Sequence, residues 1–298
     1  MMDILQSCRL CPRQCGVDRS SGKQGYCGAD DRLLVARAAL HFWEEPCISG
    51  TKGSGTVFFS GCPLGCRFCQ NYEISARGVG KAISIQRLAD IFLELQDRGA
   101  NNINLVSPTQ YVPHIIKALE LVKARLSIPV VYNTGGYERV ETLKQLEGYV
   151  DIWLSDAKYA DPVRSKNYSA AQDYPQTAFA AIAEMLRQCG TPTFDENGML
   201  RRGVIVRHLV LPGGMKDSFA VLDRLAEQKK NHDFLLSLMA QYTPYRKDEQ
   251  YTELNRRISS YEYRRVCEYA QQLGFEGFQQ ERSSAKEEYT PDFDLTGV

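Results

Sequence analysis

From about residue 55 onward the chain alternates short apolar runs with longer stretches of helical period, and this alternation narrows the possible folds more than any other feature. The runs at 56–60, 102–106, 129–133, 150–155, 204–211 and 234–241 are rich in Val, Ile, Leu or Phe, as strands of a covered parallel sheet are. Each precedes a helical pattern. The first, 84–98, sets Ile85, Leu88, Ala89, Phe92 and Leu95 on one face, with Ser84 placed to cap it and Gly99 just past its end. Ile115, Ile116, Leu119 and Val122 repeat that spacing in the second, and Phe179, Ile182, Ala183 and Leu186 in the fourth. Helices near 138–146, 218–229 and 259–273 complete the set, with Gly274 ending the last. Right-handed crossovers between six such units predict an α/β fold, a partial (β/α)6 TIM-like barrel with its helices outside. A flat doubly wound sheet is the alternative. Residues 1–50 break the pattern and read as a cysteine-rich N-terminal extension; residues 51–298 read as the barrel with a polar C-terminal tail lying over the surface or a barrel end.

Lys plus Arg and Asp plus Glu both total 36, so no net field draws the chain to nucleic acid or to an anionic membrane. No apolar window approaches the length of a membrane span, and the first fifteen residues lack a signal core. The expected setting is therefore the cytoplasm, where thiols stay reduced. Ten cysteines, seven of them in two tight groups, then point to metal ligation rather than disulfides.

The first group is Cys62, Cys66 and Cys69, a C-x3-C-x2-C run directly after the first strand. Loops at the carboxyl ends of parallel strands are where such folds carry chemistry. Three close thiolates suit an iron–sulfur cluster and leave one iron open, whereas a sealed structural site would use four ligands. Gly61 and Gly65 allow a tight backbone around a bulky cluster, and Phe68 can shield one side of it. The alternative is a structural zinc site completed by Cys47 or a histidine, which would make the chain a metal-binding interaction module without catalysis.

With an aromatic residue before its last cysteine, this loop resembles the signature of the radical S-adenosylmethionine (radical SAM) enzymes. The stretch from Gly53 to Asn71 further resembles pyruvate formate-lyase activating enzymes and their uncharacterised relatives, a likeness extending from residue 50 to about 245. What the resemblance implies is a 4Fe-4S cluster held by Cys62, Cys66 and Cys69, with S-adenosyl-L-methionine on its open iron. It also implies an electron donor such as flavodoxin or ferredoxin, and hydrogen abstraction from a glycyl-radical protein. Substrate choice rests on loops, so a small molecule or a peptide is the alternative target.

Strand ends supply the remaining candidates for cosubstrate binding. Ser107 and Thr109 flank Pro108 where the family usually has a Gly-Gly-Glu turn, a departure that leaves open how the methionine amine is held. Asn133 stands where the resemblance puts a polar group near the ribose, and Asn133-Thr134-Gly135-Gly136 is equally good turn chemistry. Asp156 and Lys158 resemble an Asp-x-Lys element whose ammonium meets the cosubstrate carboxylate. Arg207, inside an apolar strand, needs an anionic partner, which a bound carboxylate would supply, while His208 points to the opposite face. Gln241 ends the sixth strand and could meet the adenine.

Cys8, Cys11, Cys15 and Cys27 form the second group, C-x2-C-x3-C-x11-C, in a segment with little core of its own. Four thiolates make a closed site whose binding energy becomes folding energy, and both zinc and an auxiliary 4Fe-4S cluster fit it.

Overall fold

A computed structural model describes residues 2–275, 277–279 and 290–298. In chain order its strands are β1 (Leu33–His41), β2 (Ser54–Phe59), β3 (Lys81–Ile83), β4 (Ile103–Val106) and β5 (Val130–Thr134). They continue with β6 (Ile152–Asp156), β7 (Thr193–Phe194), β8 (Leu200–Leu209), β9 (Leu235–Met239) and β10 (Gly277–Gln279). The main sheet runs β10-β9-β8-β6-β5-β4-β2-β1-β3. Its six central strands β2, β4, β5, β6, β8 and β9 are the six expected from sequence, all parallel and in chain order. Each crossover thus advances one strand in one direction, which curves the sheet, and among the described residues β3 and β10 do not pair to close it. The result is a mostly parallel, partial TIM-like barrel. No helix among the described residues is long and apolar enough to cross a membrane.

Local chemistry accounts for the helices. The Ser84 hydroxyl accepts from the Arg87 amide at 3.0 Å and starts the helix Ile85–Asp97. Leu88, Ala89, Ile91, Phe92 and Leu95 are its buried face, packed with Val57, Ile103 and Leu105 of the sheet. Gly99 takes φ 83° just beyond the end. Alternation along the strands divides the core in two. Tyr132 and Trp153 face out into the helix layer, whereas Val131, Ile152 and Leu154 face into the barrel with Cys47 and Ile48 from the short helix Pro46–Ser49.

Three main-sheet strands, β1, β3 and β10, lie outside the six expected. β1 falls inside the cysteine-rich stretch, where Arg37 interrupts its apolar run, and pairs antiparallel with β2 through a bulge between Val35 and Arg37. β3 and β10 have three residues each, too short to register as apolar runs. The end of the polar tail lies against β1: Leu295 N–H donates to Ala36 O at 3.1 Å, Ala38 N–H donates to Thr296 O at 2.8 Å, and Phe293 meets Phe58 edge-on. The tail residues before 290, apart from Gln279, lie outside the described residues.

Candidate functional site

The loop leaving the carboxyl end of β2 carries the cysteine triad. Gly61 turns it at φ 85°, where a Cβ would sit 2.5 Å from the Cys27 carbonyl oxygen, so only glycine fits. The Cys62 amide donates to that same carbonyl at 3.2 Å. Gly65 and Arg67 amides donate to Ser169 O and Tyr168 O, hanging the loop on the end of the helix Pro162–Ser169. Arg67 reaches outward to Asp248 at 3.1 Å and lies over the Tyr251 ring, while Phe68 packs edge-on against Tyr242. The Ser169 and Ser75 hydroxyls meet Cys66 Sγ at 3.0 Å and Cys69 Sγ at 3.3 Å.

The three thiols open on one cavity of about 170 Å³. Phe68 lines it beside them, and the strand ends add Ser107, Asn133, Asp156, Lys158, Arg207 and Gln241. Thr109 is the one candidate left out: it is buried, and its hydroxyl donates to Glu138 Oε1 at 2.6 Å. Ser107 reaches the cavity with φ 55°, a left-handed conformation uncommon for serine, held by its amide donating to Asn133 O at 2.9 Å.

Opposite the thiols, charges are arranged in a buried network. Asp156 and Arg207 are direct neighbours across β6 and β8, and Arg207 Nε donates to Asp156 Oδ1 at 2.9 Å. The Lys158 ammonium donates to the other Asp156 oxygen. Arg207 also donates to Asn133 Oδ1 at 2.6 Å and faces Glu44 at 3.4 Å. Glu44 further accepts from Asn104 at 3.1 Å and Asn133 at 3.2 Å. Burial works against ionisation of Asp156, yet Arg207 and Lys158 outweigh it and hold the carboxyl below the usual range. Burial likewise opposes the Lys158 charge and Asp156 restores it, leaving its pKa raised. Glu44 is raised by burial, which Arg207 offsets only in part. Burial also pushes up Cys62 and takes Cys66 to about 11, against the pull of Lys158.

The partner expected for Arg207 thus comes first from the protein, in Asp156 and Glu44. Sequence reasoning missed Glu44; the available signal was an acidic pair, Glu44-Glu45, between Trp43 and Pro46 in a stretch read as extension. His208 points away from the cavity as expected, bonded to Ala157 O and Ser218. Cys47 packs inside the barrel with Ile152 and Leu154 toward the amino ends of the strands, so it does not join the triad. Among the described residues, no three His, Cys, Asp or Glu side chains are drawn together around a single metal-ion position. The cysteines of the N-terminal group do line one small cavity of their own.

An open parallel barrel whose first strand runs into a loop of three cysteines facing a lysine and an arginine defines a class of cofactor-dependent barrel enzymes. Residues 56–195 match the model of the Radical SAM superfamily. Over 284 residues it is 28% identical to an uncharacterized protein of Methanocaldococcus jannaschii, covering 92% of this chain and 77% of the relative. Among solved structures, Streptococcus suis SuiB bound to the precursor peptide SuiA superposes with TM-score 0.50 at 18% identity, covering 74% of this chain and 46% of SuiB. SuiB bound to S-adenosylmethionine gives TM-score 0.50 at 16% identity, covering 74% and 48%. The chain spans just under half the length of those SuiB chains, and the likeness is one of fold. The match over residues 56–195 points to a 4Fe-4S cluster and S-adenosylmethionine as cofactors. Three thiols on one wall and fixed cations on another fit that pair.

Proposed function

We propose that Cys62, Cys66 and Cys69 ligate the cluster and that the adjoining cavity receives S-adenosylmethionine. When bound, the cluster supplies one electron that splits the sulfonium into methionine and a 5'-deoxyadenosyl radical able to abstract hydrogen. The supporting observation is convergence: the triad and six of the seven strand-end candidates line the same cavity. Lys158 offers its ammonium to the cosubstrate carboxylate, Arg207 and Asp156 fix that ammonium in place, and Asn133 faces the ribose. Ser107 stands where the methionine amine would lie, presenting a hydroxyl on a fixed left-handed turn. Leu64, Phe68, Leu209 and Met239 give the cavity apolar walls that exclude water from a reactive radical.

For the target, the sequence resemblance to pyruvate formate-lyase activating enzymes favours a glycine of a partner protein, with a flavodoxin- or ferredoxin-type electron donor. The test is release of 5'-deoxyadenosine with and without a candidate glycyl-radical protein, read alongside EPR. Protein-dependent release with a glycyl-radical doublet is the expected result. Release that ignores every such protein moves the target to a peptide or small molecule.

A further inference from the structure

Behind the cysteine loop, two hydroxyls meet Cys66 in line. Ser169, the last residue of the helix Pro162–Ser169, is fully buried, and its Oγ lies 3.0 Å from Cys66 Sγ. On its other side the same Oγ lies 2.8 Å from the hydroxyl of Tyr159, which is also fully buried. Both groups are held by contacts outside this line. The Gly65 and Arg67 amides donate to Ser169 O and Tyr168 O at 3.2 and 2.9 Å, so the backbone on each side of Cys66 is tied to the helix end that carries Ser169. The Tyr159 ring packs against those of Tyr168 and Tyr174, with centroids 6.4 and 5.4 Å away, and Tyr159 directly follows Lys158 in the chain.

Counting hydrogens fixes the direction of these bonds. A thiolate on iron only accepts, and each hydroxyl carries one hydrogen. Ser169 therefore gives its hydrogen to Cys66 Sγ, and the hydrogen between the two oxygens is that of Tyr159. The result is a one-way relay from the Tyr159 hydroxyl through the Ser169 hydroxyl to sulfur, in which the first bond polarises the second. Because both residues are shut away from solvent, water does not stand in for either bond. Ser75 differs: it meets Cys69 Sγ at 3.3 Å from a half-buried position that water reaches.

Reduction places one more negative charge on a cluster and its sulfurs, and a hydrogen-bond donor to sulfur favours that more negative state. We infer that Ser169, oriented by Tyr159, donates to the Cys66 sulfur of the loaded cluster and raises its reduction potential, which eases transfer from a one-electron donor. Neither residue lines the cosubstrate cavity. Both are positioning residues, Tyr159 acting through Ser169 and Ser169 through Cys66. The inference rests on Cys66 being a cluster ligand, as proposed above.

The test is a redox titration of the anaerobically reconstituted full-length chain, following the EPR signal that S-adenosylmethionine perturbs, with iron content matched between forms. Ser169→Ala should titrate at a more negative midpoint than wild type, the ratio of reduced to oxidised cluster at a fixed potential falling several-fold. Tyr159→Phe, which keeps the ring and the Ser169 hydroxyl, should shift in the same direction by less, and the double variant no further than Ser169→Ala. Should Ser169→Ala not hold its cluster, Tyr159→Phe decides alone. A wild-type midpoint in the variants that load, or a double variant shifted by the sum of the two single changes, overturns the inference. A wild type that binds no reducible cluster at the triad fails the proposed function, whereas a reducible cluster with unmoved midpoints fails this inference only.

Discussion

Lys158 keeps its charge in a buried place because Asp156 stands beside it, and Arg207, held by Asp156 and facing Glu44, is a second fixed charge. A carboxylate entering the cavity meets an ammonium already oriented. Lys158→Met removes one charged contact, so its affinity for S-adenosylmethionine should fall by about tenfold or more, measured by equilibrium binding to the reconstituted protein. Unchanged affinity would remove Lys158 from the cosubstrate site. On the far side of the same strand, His208 is locked neutral: Nδ1 donates to Ala157 O at 2.7 Å and Nε2 accepts from the Ser218 hydroxyl at 2.9 Å. Burial lowers its pKa to about 4 from an ordinary 6.5. The unfolded chain takes up this proton first as pH falls, so the ring's stabilising contribution is intact above 6.5 and is lost progressively toward 4. Denaturant titrations at about pH 7 and about pH 5 should show wild type losing more stability than His208→Asn over that interval, whose change at this position carries no titration. Equal losses would contradict the assignment.

Helices and central strands were legible in the sequence because their causes are local. Ser259 was expected at the start of the last helix, and the structure has a full capping box there: its hydroxyl accepts from the Glu262 amide while Glu262 reaches back to the Ser259 amide. Ser259→Ala should lower stability by about 1 kcal/mol in thermal or chemical unfolding, with cluster content unchanged. Edges were harder to read. β8 begins at Leu200 rather than 204 because Arg202 pairs with Thr193 in the small β7 hairpin, a partner no periodicity reveals. The Asp156 and Arg207 pairing depends on the register between β6 and β8, and Glu44 reaches them from β1's far end across a sequence distance of more than a hundred residues. Each residue type was readable; which ones meet was fixed by the sheet. Thr109 failed for the same reason, since its turn directs it to Glu138 rather than to the cavity.

At the scale of the molecule, an open barrel must manage two sheet edges. On one of them β1 pairs with β3 only over Leu33–Val35, and residues 295 and 296 continue the cover along Ala36 to Ala38. Removing residues 290–298 should bare that edge and the Phe58 ring beneath Phe293, giving concentration-dependent association in analytical ultracentrifugation where the full chain stays unassociated. A truncated chain that sediments like the full one would show that the tail does not serve as cover. The barrel's other task is to gather the carboxyl ends of its strands around the triad, and everything assigned to the cavity follows from three sulfurs leaving one iron free. The most direct test is anaerobic reconstitution with iron and sulfide, then assay of 5'-deoxyadenosine from S-adenosylmethionine with dithionite, comparing wild type with Cys66→Ala. The account predicts turnover in wild type and none in the variant; equal release from both, or none from a fully loaded wild type, would contradict it.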